Sequence, residues 1–164
     1  MILALLLNHA SARELTGVTV GWAPHYGPAM PDGGAMTQIT KAAFQRTGHS
    51  AEISFIAWNR ALKNVKEGKD DFVMGAYYNE DRARTYFVSE PVYYLDFGLV
   101  ALDSLGFAEM DGLRSIEPYT IGVNLGYANT EEFDAADYLT KEVAPSPKLN
   151  IRKLYRDRVD MVIG

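Results

Sequence analysis

The first 78 residues alternate between extended and helical hydrophobic patterns in a fixed order, and that order constrains the fold more than any other feature. Residues 18–22 (Val-Thr-Val-Gly-Trp) alternate as a strand, and Pro24, Gly27, Pro28, Pro31 and the Asp-Gly-Gly cluster at 32–34 form a loop. Met36, Ile39, Ala43 and Phe44 then fall on one helical face, with Asp32 placed to cap the start and Gly48 at the C-terminal cap position. Residues 53–57 give a second strand, and Ala61, Leu62 and Val65 mark a second helix ending at Gly68. Residues 71–78 give a third strand. Strand, helix, strand, helix, strand implies an α/β fold with a mainly parallel sheet and helices packed on it.

The rest of the chain follows the same logic without a detectable sequence repeat. Asn79 is placed to cap a short helix with Glu80 and Asp81 in its first turn and Arg82 and Arg84 further on, a distribution that suits the helix dipole. Pro91 closes it, and residues 92–102 read as a long extended apolar strand or crossover, in which Tyr93, Tyr94 and Phe97 pack. Residues 103–118 give a weak signal, and residues 120–123 restart as a strand. Asn129, Glu131 and Glu132 resemble a cap and acidic first turn for a helix reaching about Lys141, ended by Pro145 and Pro147. Residues 150–157 read as helix and residues 159–164 as strand.

Composition narrows the function. Sixteen Lys and Arg against 21 Asp and Glu leave a formal charge of −5, with no basic field to hold a phosphate backbone, so nucleic acid is not an expected partner. With no cysteine and three scattered histidines, neither a metal site nor a thiol nucleophile is expected. Dinucleotide, phosphate-loop and hydrolase signatures are absent, so no cofactor and no catalytic residue is assigned. Eight aromatics between Phe72 and Phe97 are dense enough to wall a small-molecule cleft. At the start, a short apolar run followed by Ala10-Ser11-Ala12 fits the end of an export signal, which makes residues 1–12 the expected remnant of one. Residues 159–164 read as a buried strand without a following turn, so the chain is expected to be a piece of a longer reading frame.

The richest stretch is Gly75-Ala-Tyr-Tyr-Asn-Glu-Asp-Arg82, followed by Ser89-Glu-Pro91-Val-Tyr-Tyr94. It joins the end of a parallel strand to the start of a helix, the edge where open α/β sheets bind ligands. A glycine there lets a ligand approach the backbone, and an arginine seven residues on can reach back with a bidentate fork. These are the parts of a carboxylate site. The bland alternative for Arg82 is an ion pair with Glu80, Asp81 or a nearby loop carboxylate, and Trp58 reads equally well as core.

This stretch resembles the Gly-x-Thr-x-Thr-x-x-Arg and Ser-Asp-Pro-Tyr-Tyr segment of family 3 extracellular solute-binding proteins, the receptors of amino-acid ABC importers. The resemblance extends to Gly21-x-x-Pro-x-Tyr26, to Trp58 with Gly68 and Asp71, to Gly122-Val-x-x-Gly126 and to Arg158-Val-Asp-x-Val-Ile-Gly164. It implies a type II periplasmic-binding-protein fold of two α/β lobes, residues 13–94 and 95–164, the second incomplete and the C-terminal part missing. Closure over one small solute in the cleft between the lobes would follow.

By position, the resemblance makes Arg82 the grip on a ligand carboxylate, assisted by Gly75 and Tyr77. Tyr26 would cover the ligand, Trp58 would form an apolar wall, and Gly126 and Tyr127 would contribute from the second lobe. Tyr77 stands where the family usually has Ser or Thr, Tyr127-Ala128 replaces a usual Thr pair, and Ala23 stands where some members are acidic. The ammonium-binding Asp of many members would follow Gly164. These departures leave room for a flatter or more aromatic ligand. The implied role is capture of a small carboxylate-bearing solute, with no chemistry performed, by a periplasmic monomer whose partner is an ABC permease in the inner membrane. The same fold also serves as the extracytoplasmic sensing domain of membrane receptor kinases and cyclases, and in a few relatives as a periplasmic dehydratase.

Overall fold

The computed structural model describes residues 12–96 and 98–164. The chain divides by its contacts into two compact units, one ending at Ala76 and the other beginning at Tyr77. The segment from Tyr77 to Tyr94, assigned to the first lobe in the sequence reading, is thereby grouped with the second unit. The expected export-signal remnant falls almost wholly on residues outside the described ones, as does Phe97.

In the first unit, β1 (Glu14–Thr19) leads through a short 3-10 turn to α1 (Ala35–Arg46), β2 (Ser50–Phe55), α2 (Trp58–Lys66) and the two-residue β3 (Phe72–Val73). The sheet order is β2-β1-β3, all parallel, with Leu15 opposite Ala51 and Gly17 opposite Phe72. Crossovers leave β1 toward one neighbour and return to the other, which puts α1 and α2 on opposite faces. β1 begins four residues before the expected start because Asp71 anchors it there. The Asp71 carboxylate accepts from Thr16 N at 2.8 Å and Thr16 Oγ1 at 3.1 Å, while Asp71 N donates to Thr16 O at 2.8 Å. Residues 20–22, expected within the strand, lead into a closed turn in which Trp22 N donates to Tyr26 O at 2.7 Å and Tyr26 N to Trp22 O at 3.0 Å.

Helix ends in this unit follow the sequence at one terminus and depart from it at the other. Asp32 sits inside the 3-10 turn at φ 50° and does not cap α1, whose N-cap is Gly34 without a side-chain bond. At the far end, His49 N reaches Phe44 O and Gly48 N reaches Gln45 O, a Schellman motif that Lys69, Asn64, Gly68 and Val65 repeat after α2. The α1 stripe is narrower than its periodicity suggests: Met36 is buried, whereas Ile39 is 49% exposed. Tyr26, Met36 and Met74 form the core with Trp22, Ile53, Phe55 and Phe72.

In the second unit, α3 (Glu80–Thr85) precedes β4 (Leu99–Ala101), β5 (Thr120–Asn124), α4 (Glu131–Ala135), β6 (Thr140–Ala144), α5 (Pro147–Leu154) and β7 (Met161–Ile163). The sheet order is β4-β7-β5-β6, with β4 antiparallel to β7 and the other pairs parallel. Ile116, Ile121, Phe133, Leu139, Met161 and Ile163 are the centre of its larger core.

The helix expected to reach about Lys141 stops at Ala135, and Thr140–Ala144 is a strand. Thr130, not Asn129, caps α4 by accepting from Phe133 N at 3.2 Å, and Asn129 bonds Asp134 instead. Pro147 opens α5 rather than closing the previous helix, as suits a residue without an N–H at the first helical position. Of the long strand or crossover expected over 92–102, only Leu99–Ala101 is a strand, and Tyr93 and Tyr94 are 53% and 82% exposed rather than packed.

Candidate functional site

β1 lies between β2 and β3, and β5 lies between β6 and β7, so the carboxyl ends of β1 and β5 are where successive crossovers diverge. Ligands of open α/β sheets bind at such ends. The sequence-derived site residues fall at these edges, each within its own unit.

In the first unit, Tyr26, Trp58 and Gly75 follow the carboxyl ends of β1, β2 and β3. Tyr26 is 3% exposed and packs with Met36 and Met74. Its hydroxyl lies against Gly75, where any Cβ would collide with it. Gly75 also holds φ +76°, a left-handed conformation that L side chains adopt at a cost. Thr19, fully buried, donates through Oγ1 to Met74 O at 2.8 Å and so fixes the approach of β3 to β1 just before that glycine. Trp58 opens α2 and is 7% exposed. The structure thus brings Tyr26 and Gly75 together, packs Tyr26 in the core and buries Trp58.

In the second unit, Tyr77, Arg82, Gly126 and Tyr127 converge. Asn79 accepts from Arg82 N at 2.8 Å and caps α3, as the sequence reading expects. The acidic residues of that helix pair with Arg84, through Glu80 at 3.0 Å and Asp81 at 3.4 Å. Arg82 turns the other way: Nη1 donates to Tyr77 O at 2.7 Å and Nη2 to Gly126 O at 3.0 Å. The guanidinium is half-buried, and burial presses its pKa below the ordinary arginine value, opposed by Tyr86 and Asp134. Arginine remains a cation throughout. Burial, and then the neighbouring Tyr127, push the Tyr77 phenol up to about 12, and burial raises the Tyr127 phenol as well. Both hydroxyls therefore stay protonated at neutral pH.

Residues 77 and 126 consequently contribute carbonyls that orient the arginine, while the phenols of Tyr77 and Tyr127 lie close enough to influence each other. Asn124 and Asn150 are polar groups at this edge that the sequence reading does not assign. Asn150 Nδ2 donates to Asn124 Oδ1 at 3.0 Å. The one sequence signal for them is that Asn150 and Leu154 share the i, i+4 face of α5, where an apolar residue belongs, and both are buried. Among the described residues, no cluster of His, Asp and Glu is placed to hold a metal ion, and no helix is long and apolar enough to cross a membrane.

The fold is that of the type II periplasmic binding proteins, each unit carrying a β-α-β-α-β run with its first strand in the middle. Among solved structures, the chain is similar to an ancestral arginine-binding protein bound to arginine, with 21% identity and a TM-score of 0.76 over 92% of this chain and 69% of that one. It is similar also to the amino acid ABC transporter substrate-binding protein AbpA from Streptococcus pneumoniae bound to L-arginine, with 22% identity and a TM-score of 0.76 over 92% and 67%. A third is the ancestral amino-acid-binding protein AncCDT-1, a precursor of cyclohexadienyl dehydratase, at 18% identity and a TM-score of 0.71 over 92% and 70%. No protein-family model matches the sequence, and no curated protein does.

Proposed function

We propose that this chain is an extracytoplasmic solute-binding protein that captures a small carboxylate-bearing solute, an amino acid or a related compound, and hands it to an ABC importer in the membrane. The observation that carries the reading is Arg82: a half-buried guanidinium, aimed by the carbonyls of Tyr77 and Gly126, at the carboxyl end of β5. A planar fork fixed in this way suits a carboxylate. The Tyr77 and Tyr127 hydroxyls supply further donors, and Gly75, by lacking a Cβ, makes room for the Tyr26 phenol and leaves its own backbone groups beside it. Trp58 serves as apolar wall. The named site groups work as hydrogen-bond donors, apolar surface or approachable backbone, so the role is binding and release without covalent change. The amino acid ligands of the similar structures support the solute class.

The test is a thermal-shift screen of amino acids and small carboxylates on the 164-residue chain, followed by calorimetry with each stabilising solute on Arg82→Ala and Arg82→Lys. Loss of a buried, hydrogen-bonded ionic contact costs on the order of 2 to 5 kcal/mol. Arg82→Ala is expected to lose that much binding, and Arg82→Lys, which keeps the charge and loses the fork, an intermediate amount. Unchanged affinity in both variants removes Arg82 from the site and ends this reading.

A further inference from the structure

Asn150 lies in the first turns of α5 and is only 2% exposed. Its Nδ2 donates to Asn124 Oδ1 at 3.0 Å, while its own Oδ1 is buried without a hydrogen-bond partner. Oδ1 faces Gly122 of β5, where a Cβ would come within 2.8 Å of it. Burying an unsatisfied amide oxygen costs stability, and a leucine would fill such a position more cheaply. The arrangement therefore calls for a role beyond packing.

The orientation of the two amides follows from the surroundings. One atom of the Asn150 carboxamide must face Gly122 whichever way the group is turned. An oxygen there can take a weak contact from the glycine Cα–H, whereas an NH2 group would be orphaned outright, and orphaned buried N–H groups are the rarer case. Nδ2 of Asn150 thus points at Asn124, whose oxygen is claimed. The planar Asn124 carboxamide then directs its own Nδ2 hydrogens away from α5. Asn124 is half-buried, ends β5, and accepts at its backbone oxygen from Tyr127 N at 3.1 Å, one residue from the Gly126 carbonyl that holds Arg82.

Building on the solute-binding reading above, we propose that Asn124 is a specificity-determining residue. It donates from Nδ2 to an oxygen acceptor at the distal end of the solute, and Asn150 is the positioning residue that fixes this orientation. Together with Arg82 and the phenols of Tyr77 and Tyr127, it makes the second unit's contribution a set of donors. The solute class is accordingly a small carboxylate carrying a second oxygen acceptor, such as an amide or a second carboxylate. A cationic side chain would meet donors at both ends.

The experiment is calorimetry on the 164-residue chain with L-glutamine, L-glutamate, L-arginine and L-lysine. The parent is expected to favour the first two by about tenfold or more. Asn124→Asp keeps the bond from Asn150 Nδ2 but turns the outward donor into an acceptor, so the preference should invert toward the cationic pair. Asn150→Leu should keep the fold, as read by melting temperature, and erase most of the discrimination. An unchanged ranking in Asn124→Asp overturns the assignment. So does binding confined to solutes without a second acceptor. In either case a continued dependence on Arg82 leaves the solute-binding reading standing, whereas a parent that binds no amino acid or carboxylate at all overturns both.

Discussion

Asp71 ties the edge of a sheet together through a single carboxylate. It takes hydrogen bonds from the Thr16 amide and hydroxyl and pairs with Arg13, and these hold its carboxyl below the ordinary value of 3.8, the Thr16 amide being the largest influence. A carboxyl whose folded pKa is depressed stabilises the fold above its ordinary pKa and ceases to do so as pH falls through the folded value. The stability difference between the parent and Asp71→Asn should therefore be flat above about pH 5 and close below about pH 4, as read by urea titrations across that range. At this scale the sequence singles out Arg82 as a candidate, through a glycine seven residues before an arginine at a strand end, but leaves an ion pair with Glu80 or Asp81 open; in the structure those acids pair with Arg84 instead. The sequence does not announce Asn124 and Asn150. Asparagine at a strand end reads as a turn former, and its partner lies 26 positions away. Tyr26 was legible as a residue held for a reason, but whether that reason is a ligand or the Gly75 backbone depends on where its hydroxyl points.

The elements repeat in a way the sequence conceals. In the first unit β1, α1, β2, α2 and β3 give the order β2-β1-β3, and in the second β5, α4, β6, α5 and β7 give β6-β5-β7. Even the anchor recurs: Asp160 accepts from Thr120 N at 2.7 Å and donates to Thr120 O at 2.9 Å, as Asp71 does with Thr16. Only the spacing of each aspartate before its strand survives as a written trace. Helix ends at Gly48 and Gly68 were readable because their geometry is local. β6 was not, since Thr-Lys-Glu-Val-Ala buries only Ala144 fully, and no apolar alternation marks it as a strand. Its pairing with β5 is what makes it one. α4, just before it, is five residues long and leans on its cap. Thr130→Ala should cost about 1 kcal/mol in chemical denaturation, and Thr130→Ser should restore most of it.

Across the whole molecule, two units with separate cores share one chain. Phe133 is 2% exposed at the centre of the second unit's core. Phe133→Ala should remove about 3 to 5 kcal/mol. In hydrogen exchange the loss of protection should concentrate in the amides of β5, β6 and β7, with β1 and β2 little changed. Uniform loss across both sheets would show instead that the units melt as one. The second unit's sheet also depends on a very short piece. β7 has three residues, all buried, and it lies between β4 and β5 as the only strand, among the described residues, paired with β4. If it detaches, β4 is left without a partner and β5 loses one side, so two rows of backbone donors and acceptors are bared at once. Such a species pairs with other copies of itself more readily than it closes again at high concentration. Loss of this protein on warming should then scale with its concentration, as a colloidal event that begins while the first unit's core is still intact.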